Sequence, residues 1–412
     1  MDMRCRRRLL GALLAVAGLL VGPGTALGSS AAQPGESELV PHPLRIPLTS
    51  GTRQVTLWLE PGFEVGVAAW GLPSARMLAQ SPTGELVLTQ HFEGKVVKLA
   101  DFDGDSVTDE IVPILTGLDM PHGVAFIGQT LFVAETGRIL RLDTWWDGSS
   151  ARPIATLPGG GHHQTRSLAA GPDGMLYVSV GSSCDVCDES DPLRAAIWRL
   201  DPDGGPLEPY ARGLRNAVGL TWSPDGSRLW ATENERNELG EEIPPDEVVA
   251  VRPGGDYGWP ACYGARVPTP GFGSAERCAA TEPPTVELPA HSAPLGLAFS
   301  TGTRFPSTYR DDLFVALHGS AVRDRPVGYE LARIPMRDGA PGEPRTFMRG
   351  WLVGDDSWGR PVGPYVAHDG TLYLTDDKGG VVYRVRPSTG ARGEDEHCTL
   401  AADGPDCSLS ST

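Results

Sequence analysis

Pro172-Asp-Gly-Met-Leu-Tyr-Val-Ser179 is the stretch on which the fold turns: a polar turn followed by four residues of β-type character. Working outward, the same phrase returns as Leu86-Val-Leu-Thr89, Leu131-Phe-Val-Ala134, Leu229-Trp-Ala-Thr232, Leu313-Phe-Val-Ala316 and Leu372-Tyr-Leu-Thr375. Turns such as Ser81-Pro-Thr-Gly84, Pro224-Asp-Gly226 and His368-Asp-Gly370 precede most of them. A second strand-like run follows each: Val96 to Leu99, Ile139 to Leu142, Ile197 to Leu200, Val248 to Val251, Leu331 to Ile334 and Val381 to Val385. Ahead of several lies a third, as in Gly123-Val-Ala-Phe126, Gly219-Leu-Thr-Trp222 and Gly296-Leu-Ala-Phe299. Counted from Leu86, the repeats are 45, 45, 53, 84 and 59 residues apart. The short intervals match one four-stranded blade, and the long ones leave room for loop insertions. No long segment has a 3.6-residue apolar period. The expectation is an all-β chain, a six-bladed β-propeller closed by an N-terminal strand near Val55 to Leu59; a β-sandwich with coincidental turn spacing is the alternative.

Composition agrees. A chain of 412 residues with 40% hydrophobic residues has material for a sizeable core, and 52 Gly with 37 Pro favours a turn-rich β protein. Arg4, Arg6, Arg7 and Arg8, the apolar run Leu9 to Val21 and the small-residue site Ala26-Leu27-Gly28 read as a signal peptide over 1–28, with an uncleaved anchor as the alternative. The run is short for a membrane span and no second one approaches that length, so the expected product is exported, periplasmic or extracellular, with no span in the mature protein. Losing 1–28 removes four Arg and one Asp and moves the net charge from −17 to −20. Such a surface repels nucleic acid and anionic lipid, which excludes a nucleic-acid partner and suits neutral ligands or cations. Six cysteines remain as three locally spaced pairs, Cys184 with Cys187, Cys262 with Cys278 and Cys398 with Cys407, and suggest three local disulfides. The Cys-x-x-Cys pair could instead bind metal or exchange thiols. Residues 29–50 read as a linker, 51–388 as the propeller and 389–412 as a polar tail.

Six segments offer chemistry. Gly161-His-His-Gln-Thr-Arg166 precedes a blade, and His163 or its neighbour His162 could be a general base, a metal ligand or part of a polar loop. In Ala211-Arg-Gly-Leu-Arg-Asn-Ala-Val-Gly219, Arg215 presents a planar fork suited to a carboxylate or quinone oxygen and Asn216 an amide beside it; an inter-blade salt bridge would use the same arginine. Thr232-Glu-Asn-Glu-Arg-Asn237, with Asp246 and Glu247 after it, holds oxygen ligands suited to Ca²⁺ or is a solvated acidic loop. Asp101, Asp103 and Asp105, with Asp109 four residues on, have calcium-loop spacing without the full twelve-residue pattern, and predict a structural Ca²⁺ loop. His318 and Arg360 each stand at a strand edge.

Together these segments resemble the soluble quinoprotein sugar dehydrogenases, closest to the sorbosone dehydrogenase-like branch, from about Phe63 to Val385. The likeness rests on His162 to Asp173, Gly181-Ser-Ser-Cys-Asp-Val-Cys187, Arg212 to Asn216, Gly254-Gly-Asp-Tyr-Gly-Trp-Pro260 and Leu313 to Gly319. It implies a six-bladed propeller holding pyrroloquinoline quinone (PQQ) and Ca²⁺, with His163 removing the substrate hydroxyl proton while hydride moves to the quinone. It further implies cofactor contacts from Arg215, Asn216, Asn234, His318 and Arg360, and a Ca²⁺ site at the carbonyls of Glu235 and Arg236. The sequence departs from the family where His162 replaces an Asp, where His318 replaces a cofactor-binding Lys, at Glu235-Arg236, which replaces Gly-Pro, and around Leu118, where a Gln is missing. The implied substrate is a sugar, sugar aldehyde (sorbosone-like) or polyol, with an external electron acceptor. A non-catalytic propeller binding carbohydrate or protein, and a Ca²⁺-dependent lactone hydrolase, are the competing classes.

Overall fold

Each repeated run is a strand whose alternate side chains enter two different apolar layers. Leu131 and Val133 pack with Val87 and Val96, whereas Phe132 and Ala134, one residue out of phase, pack with Leu176 and Val178. Burial on both faces explains why the runs read as continuous apolar stretches rather than as alternating ones. The structure, a computed structural model, describes residues 38–48, 51–302, 304–320, 322–388, 400–401 and 404–405. The expected signal segment, Cys398 and Cys407 lie outside the described residues.

The architecture is nearly all-β, built on six antiparallel sheets. The first contains Ala75–Gln80, Leu86–Gln90, Lys95–Ala100 and Glu110–Thr116, and the second Val124–Ile127, Thr130–Ala134, Arg138–Leu142 and Arg152–Thr156. The third has Arg166–Ala170, Leu176–Val180, Ala196–Leu200 and Glu208–Arg212, with Gly255–Asp256 added in parallel. Leu220–Trp222, Leu229–Glu233, Asp246–Val251 and Val286–Leu288 make the fourth. Pro294–Phe299, Leu313–Leu317, Glu330–Ile334 and Arg345–Arg349 begin the fifth, and Pro361–Val366, Leu372–Asp376 and Val381–Pro387 the sixth. The first strand of each sheet touches that of the next, and the sixth touches the first. An apolar layer fills every junction between neighbouring sheets, that between sixth and first included.

Buried threonines at the end of the repeated phrase join the sheets. Thr89 Oγ1 accepts the Met77 N–H at 3.1 Å and donates to the His122 carbonyl of the second sheet at 2.8 Å. Thr232 does the same between Gly219 N–H and Leu295 O, and Thr375 between Gly363 N–H and Arg76 O. All three are 0% exposed, so each hydroxyl must find both partners inside the protein. At the sixth-to-first junction the backbones come so close that a Cβ on Gly363 would lie 2.8 Å from the Arg76 carbonyl.

Two expectations are corrected. The strand that completes the sixth sheet is Phe63–Trp70, paired antiparallel with Val381–Pro387, rather than Val55 to Leu59. Gly51–Leu59 instead pairs with Val40–Leu48 and adds both strands to the fifth sheet, so residues 40–48 are not linker. Pro41, Pro43 and Pro47 gave that segment its linker look. They sit at alternate positions of an edge strand, where missing N–H groups cost no ladder bond and blunt the edge. Cys184–Cys187 and Cys262–Cys278 are disulfides, the second closing the Pro-rich insertion that carries the single α-helix of the described residues, Ala275–Ala279. Among the described residues no helix is long and apolar enough to cross a membrane.

Replacing Thr232 or Thr375 by Val keeps the shape and removes both hydroxyl bonds, stranding a buried N–H and carbonyl. Each substitution is expected to lower unfolding free energy by about 1–3 kcal/mol in a denaturant titration. A loss below about 0.5 kcal/mol at both positions would show that the apolar layers alone join the sheets.

Candidate functional site

In an antiparallel sheet the end of the second strand lies beside the start of the first. Here Arg166 pairs with Val180, Ala75 with Gln90 and Pro361 with Asp376. Residues just before a first strand therefore meet residues just after a second strand, at the same end of every sheet. A cavity of about 210 Å³ opens there, lined by His162, His163, Arg215, Asn216, Asn234, Glu235, Asn237, Asp246, His291, Ala293, Gly319, Val322 and Arg360. The structure thus gathers six of the predicted residues, His163, Arg215, Asn216, Asn234, Glu235 and Arg360, from the ends of three sheets, the third, fourth and sixth.

His163 is held from behind. Its Nδ1 lies 2.8 Å from Ser182 Oγ and 3.2 Å from Ser182 O, while Ser182 Oγ donates to the Cys184 carbonyl at 2.7 Å. With the hydroxyl proton spent on Cys184, both oxygens facing Nδ1 are acceptors. Nδ1 therefore carries the hydrogen and Nε2 the lone pair. Burial, then the Arg215 charge, then His162 push the His163 pKa down to about 2, so the ring is uncharged at neutral pH. Gly181 is what lets the wall close: a Cβ there would sit 2.6 Å from His163 Cβ and 2.8 Å from Asn216 Oδ1.

Arg215 is 2% exposed; its Nη2 donates to Asp185 Oδ1 at 2.7 Å, Nε to Asp185 O and Nη1 to Asn234 O, both at 2.8 Å. Asn216 donates its N–H to Glu233 Oε1, and Asn234 donates Nδ2 to the Pro294 carbonyl. Asp246 accepts from the Glu235 and Ala293 N–H groups. Burial raises Glu235 to about 7 and Asp246 to about 6, and lifts Glu233 and its cross-strand neighbour Glu247 well above the usual carboxylate range. Arg360 donates Nε to the His318 carbonyl at 3.0 Å, and its Nη1 makes no hydrogen bond among the described residues.

His318 does not line the cavity. Its Nε2 lies 3.0 and 3.1 Å from the two oxygens of Asp377, which also pairs with Arg76 at 3.4 Å. Burial opposes ionisation of Asp377, yet the His318 bond and the charges of Arg76 and Arg360 hold it at about 2, while burial lowers His318 to about 4. The imidazole is thus a neutral donor already engaged, and its contribution to the cavity is the carbonyl that fixes Arg360. Arg236 also lies off the cavity wall, 8% exposed, with Nε unpartnered among the described residues. Leu118, where the missing Gln was expected, packs against the apolar layer between the first two sheets.

The acidic loop stands apart. It follows Lys95–Ala100, whose start pairs with the site end of the second strand, so Asp101 to Asp109 leave the opposite end of the sheet. Carboxylate oxygens of Asp101, Asp103 and Asp109 converge within 4.8 Å. Asp105 is not one of that group: its Oδ1 accepts the Val107 N–H, and its carbonyl accepts from Arg384. A larger cavity of about 640 Å³ is bounded by first strands of all six sheets, with Tyr365 and His368 its only ionisable groups, and offers little chemistry.

Sequence reading missed Ser182, Asp185, Arg76, His291 and Asp377. One signal for Asp377 was present. It occupies the sixth position of its repeat, counted from Leu372, and the same position elsewhere yields His91, Asn234 and His318.

The TrAA12-like family pattern matches residues 57–388. A pyrroloquinoline quinone-dependent pyranose dehydrogenase of Coprinopsis cinerea is 25% identical over 407 aligned positions, covering 80% of this chain and 54% of that protein. Aldose sugar dehydrogenase YliI of Escherichia coli is 27% identical over 259, covering 57% and 63%. The chain thus spans little more than half the length of these curated relatives. Among solved structures, the iodide structure of the Trichoderma reesei carbohydrate-active enzyme of family AA12 superposes with a TM-score of 0.71 at 21% identity, over 80% of this chain and 97% of that one, and shows a shared fold.

In cofactor-free protein, ¹⁵N spectra of the His163 ring should show the Nδ1–H tautomer unchanged from pH 8 to pH 5, because its pKa lies below the 6.5 of an exposed imidazole. A titration with a midpoint near 6.5 would contradict the geometry. Gly181→Ala should perturb the same signals, since its added Cβ has no room beside His163.

Proposed function

The chain belongs to the TrAA12-like family, and from that premise we propose that it is an exported quinoprotein dehydrogenase. On this reading the six sheets are the blades of one six-bladed β-propeller. The cavity beside His163 holds PQQ with Ca²⁺ and admits a sugar, a sugar aldehyde of the sorbosone type or a polyol. One observation carries the reading: a neutral imidazole with a free nitrogen meets two guanidinium groups and the amides of Asn216 and Asn234 in one cavity.

The residues fit such a cofactor. PQQ is a planar anionic quinone, and Arg215 and Arg360 supply positive charge while burial raises Glu235 to about 7 and Asp246 to about 6, which lessens the negative charge facing it. Arg360 Nη1 is a donor in search of an acceptor. Oxygen ligands for Ca²⁺ lie along the Asn234 to Arg236 segment and at Asp246, and the ion would supply Lewis-acid polarisation there. Asp101, Asp103 and Asp109 form a second, structural Ca²⁺ loop at the far end of the first sheet.

When bound, the quinone supplies the two-electron acceptor for a hydride from the substrate carbon. This chain's residues do the rest. His163 Nε2 receives the hydroxyl proton, with Nδ1 kept in place by Ser182. Uncharged at neutral pH, Nε2 is the group placed to take that proton as hydride leaves the carbon. Arg215, fixed by Asp185, keeps its charge toward the same space. An external electron acceptor completes the cycle.

Titration of the mature protein with PQQ and Ca²⁺, followed by absorbance before and after aldoses, sorbosone and polyols, tests the proposal. Stoichiometric binding with bleaching by one substrate class is expected; no binding in the presence of Ca²⁺ would overturn it. Lactone hydrolysis indifferent to PQQ would favour the hydrolase alternative. His163→Ala should retain PQQ binding and lower kcat by about 10²- to 10⁴-fold. Asp101→Asn combined with Asp109→Asn should abolish a Ca²⁺-dependent rise in Tm of the cofactor-free protein without abolishing PQQ binding.

A further inference from the structure

Arg215 brings a charge into the protein that must be met by partners inside it. Asp185 meets it twice, through Oδ1 to Nη2 at 2.7 Å and through its backbone carbonyl to Nε at 2.8 Å. The same Oδ1 accepts both the backbone N–H and the Nδ2 of Asn237, each at 3.2 Å, so one carboxylate oxygen organises two residues of the cavity wall. Asp185 Oδ2 is buried and has no partner among the described residues. An aspartate with a stranded oxygen gains hydration by moving outward, and something must hold it in.

That restraint is the four-residue loop Cys184-Asp-Val-Cys187, closed by a disulfide. The loop reaches the imidazole as well, because the Cys184 carbonyl takes the Ser182 hydroxyl proton and so leaves Ser182 Oγ to accept from His163 Nδ1. As a stabiliser of the fold the bond is ill placed. A disulfide across so short a loop removes little chain entropy from the unfolded state, less than Cys262–Cys278 with its separation of 16 residues. The two bonds also differ in access: Cys184 and Cys187 are half-buried, whereas Cys262 and Cys278 are 2% and 0% exposed.

The geometry points to the Cys184–Cys187 loop as the positioning element of the cavity, with Asp185 as the positioning residue that sets Arg215 and Asn237. The functional meaning of that positioning rests on the cavity being the quinone site. Opening the bond with a dithiol breaks the S–S bond, brings two electrons and two protons to the cysteine pair and leaves the reductant as its own disulfide. Asp185 is then free to hydrate, and Arg215 keeps only the Asn234 carbonyl.

The test uses the folded mature protein under dithiothreitol, with alkylation and peptide mapping to identify the opened cysteines. Three quantities are read: the Arg215 Nε–H cross-peak in cofactor-free protein, Tm, and PQQ affinity in the presence of Ca²⁺. Of the four cysteines in the described residues, alkylation is expected at Cys184 and Cys187 and not at Cys262 or Cys278, with the Arg215 cross-peak lost, Tm changed by no more than about 3 °C and Kd for PQQ raised at least about tenfold. Asp185→Asn, with the disulfide intact, should reproduce the lost cross-peak and the weaker binding. If that variant fails to fold, reduction of the folded native chain still decides. An Arg215 signal unchanged after the bond opens would overturn the inference, as would a fall in Tm of more than about 10 °C, which would make the bond a stabiliser. Should the oxidised protein bind no PQQ, the cofactor reading fails, while the Arg215 signal continues to report on positioning.

Discussion

A buried threonine hydroxyl has one proton to give and lone pairs to offer, and in three of the six sheets it uses both across a sheet boundary. Thr89, Thr232 and Thr375 each take a backbone N–H from their own sheet and give their proton to a carbonyl of the next. In the sheets of Thr89 and Thr375 the first strand shifts register beside the bond, between Ala75 and Leu78 and between Pro361 and Pro364. Sheets joined this way cannot slide against one another. The apolar layers between them supply the bulk of the stabilisation, but a layer of Leu, Val and Phe is indifferent to small shifts, and a buried hydrogen bond is not.

The site inherits that register. Because first-strand starts and second-strand ends share one end of every sheet, polar residues at those two positions converge without any long loop to carry them. His163 meets Ser182, Asn216 meets Glu233 and Arg360 meets Asp376 by the same geometric rule. The rule also separates two sites: the Asp101 to Asp109 loop leaves the first sheet at the other end and takes no part in the cavity. Convergence has an electrostatic consequence. Guanidinium groups and buried carboxyls brought together from the fourth and sixth sheets shift one another, and the cavity ends with an uncharged base, fixed positive charge and acids raised well above the usual carboxylate range.

The repeated phrase, the turns before it and the runs around it were legible in the sequence because each strand is defined by neighbours within a dozen residues. Every one of the six is a strand with nearly the expected bounds. The same locality made Cys184–Cys187 and Cys262–Cys278 legible as pairs. His163, Arg215, Asn216, Asn234 and Arg360 could be singled out because they lie in distinctive segments flanking those strands. Less legible were Phe63–Trp70 as the strand completing the sixth sheet and Val40–Leu48 as an edge strand. In both, partner choice lies more than 300 residues away or is disguised by proline.

What the sequence determined by itself is therefore the element type, the repeat and the candidate polar groups, all of which depend on short-range pattern. Only the tertiary structure decided how those groups are spent. That His318 faces Asp377 and gives the cavity no side chain, that Ser182 selects the His163 tautomer, and that Asp185 holds Arg215 are outcomes of competition among charges and donors from different sheets. A buried hydrogen bond depends on tenths of an ångström and on which partner is already taken. Such information exists only once the sheets have closed on one another.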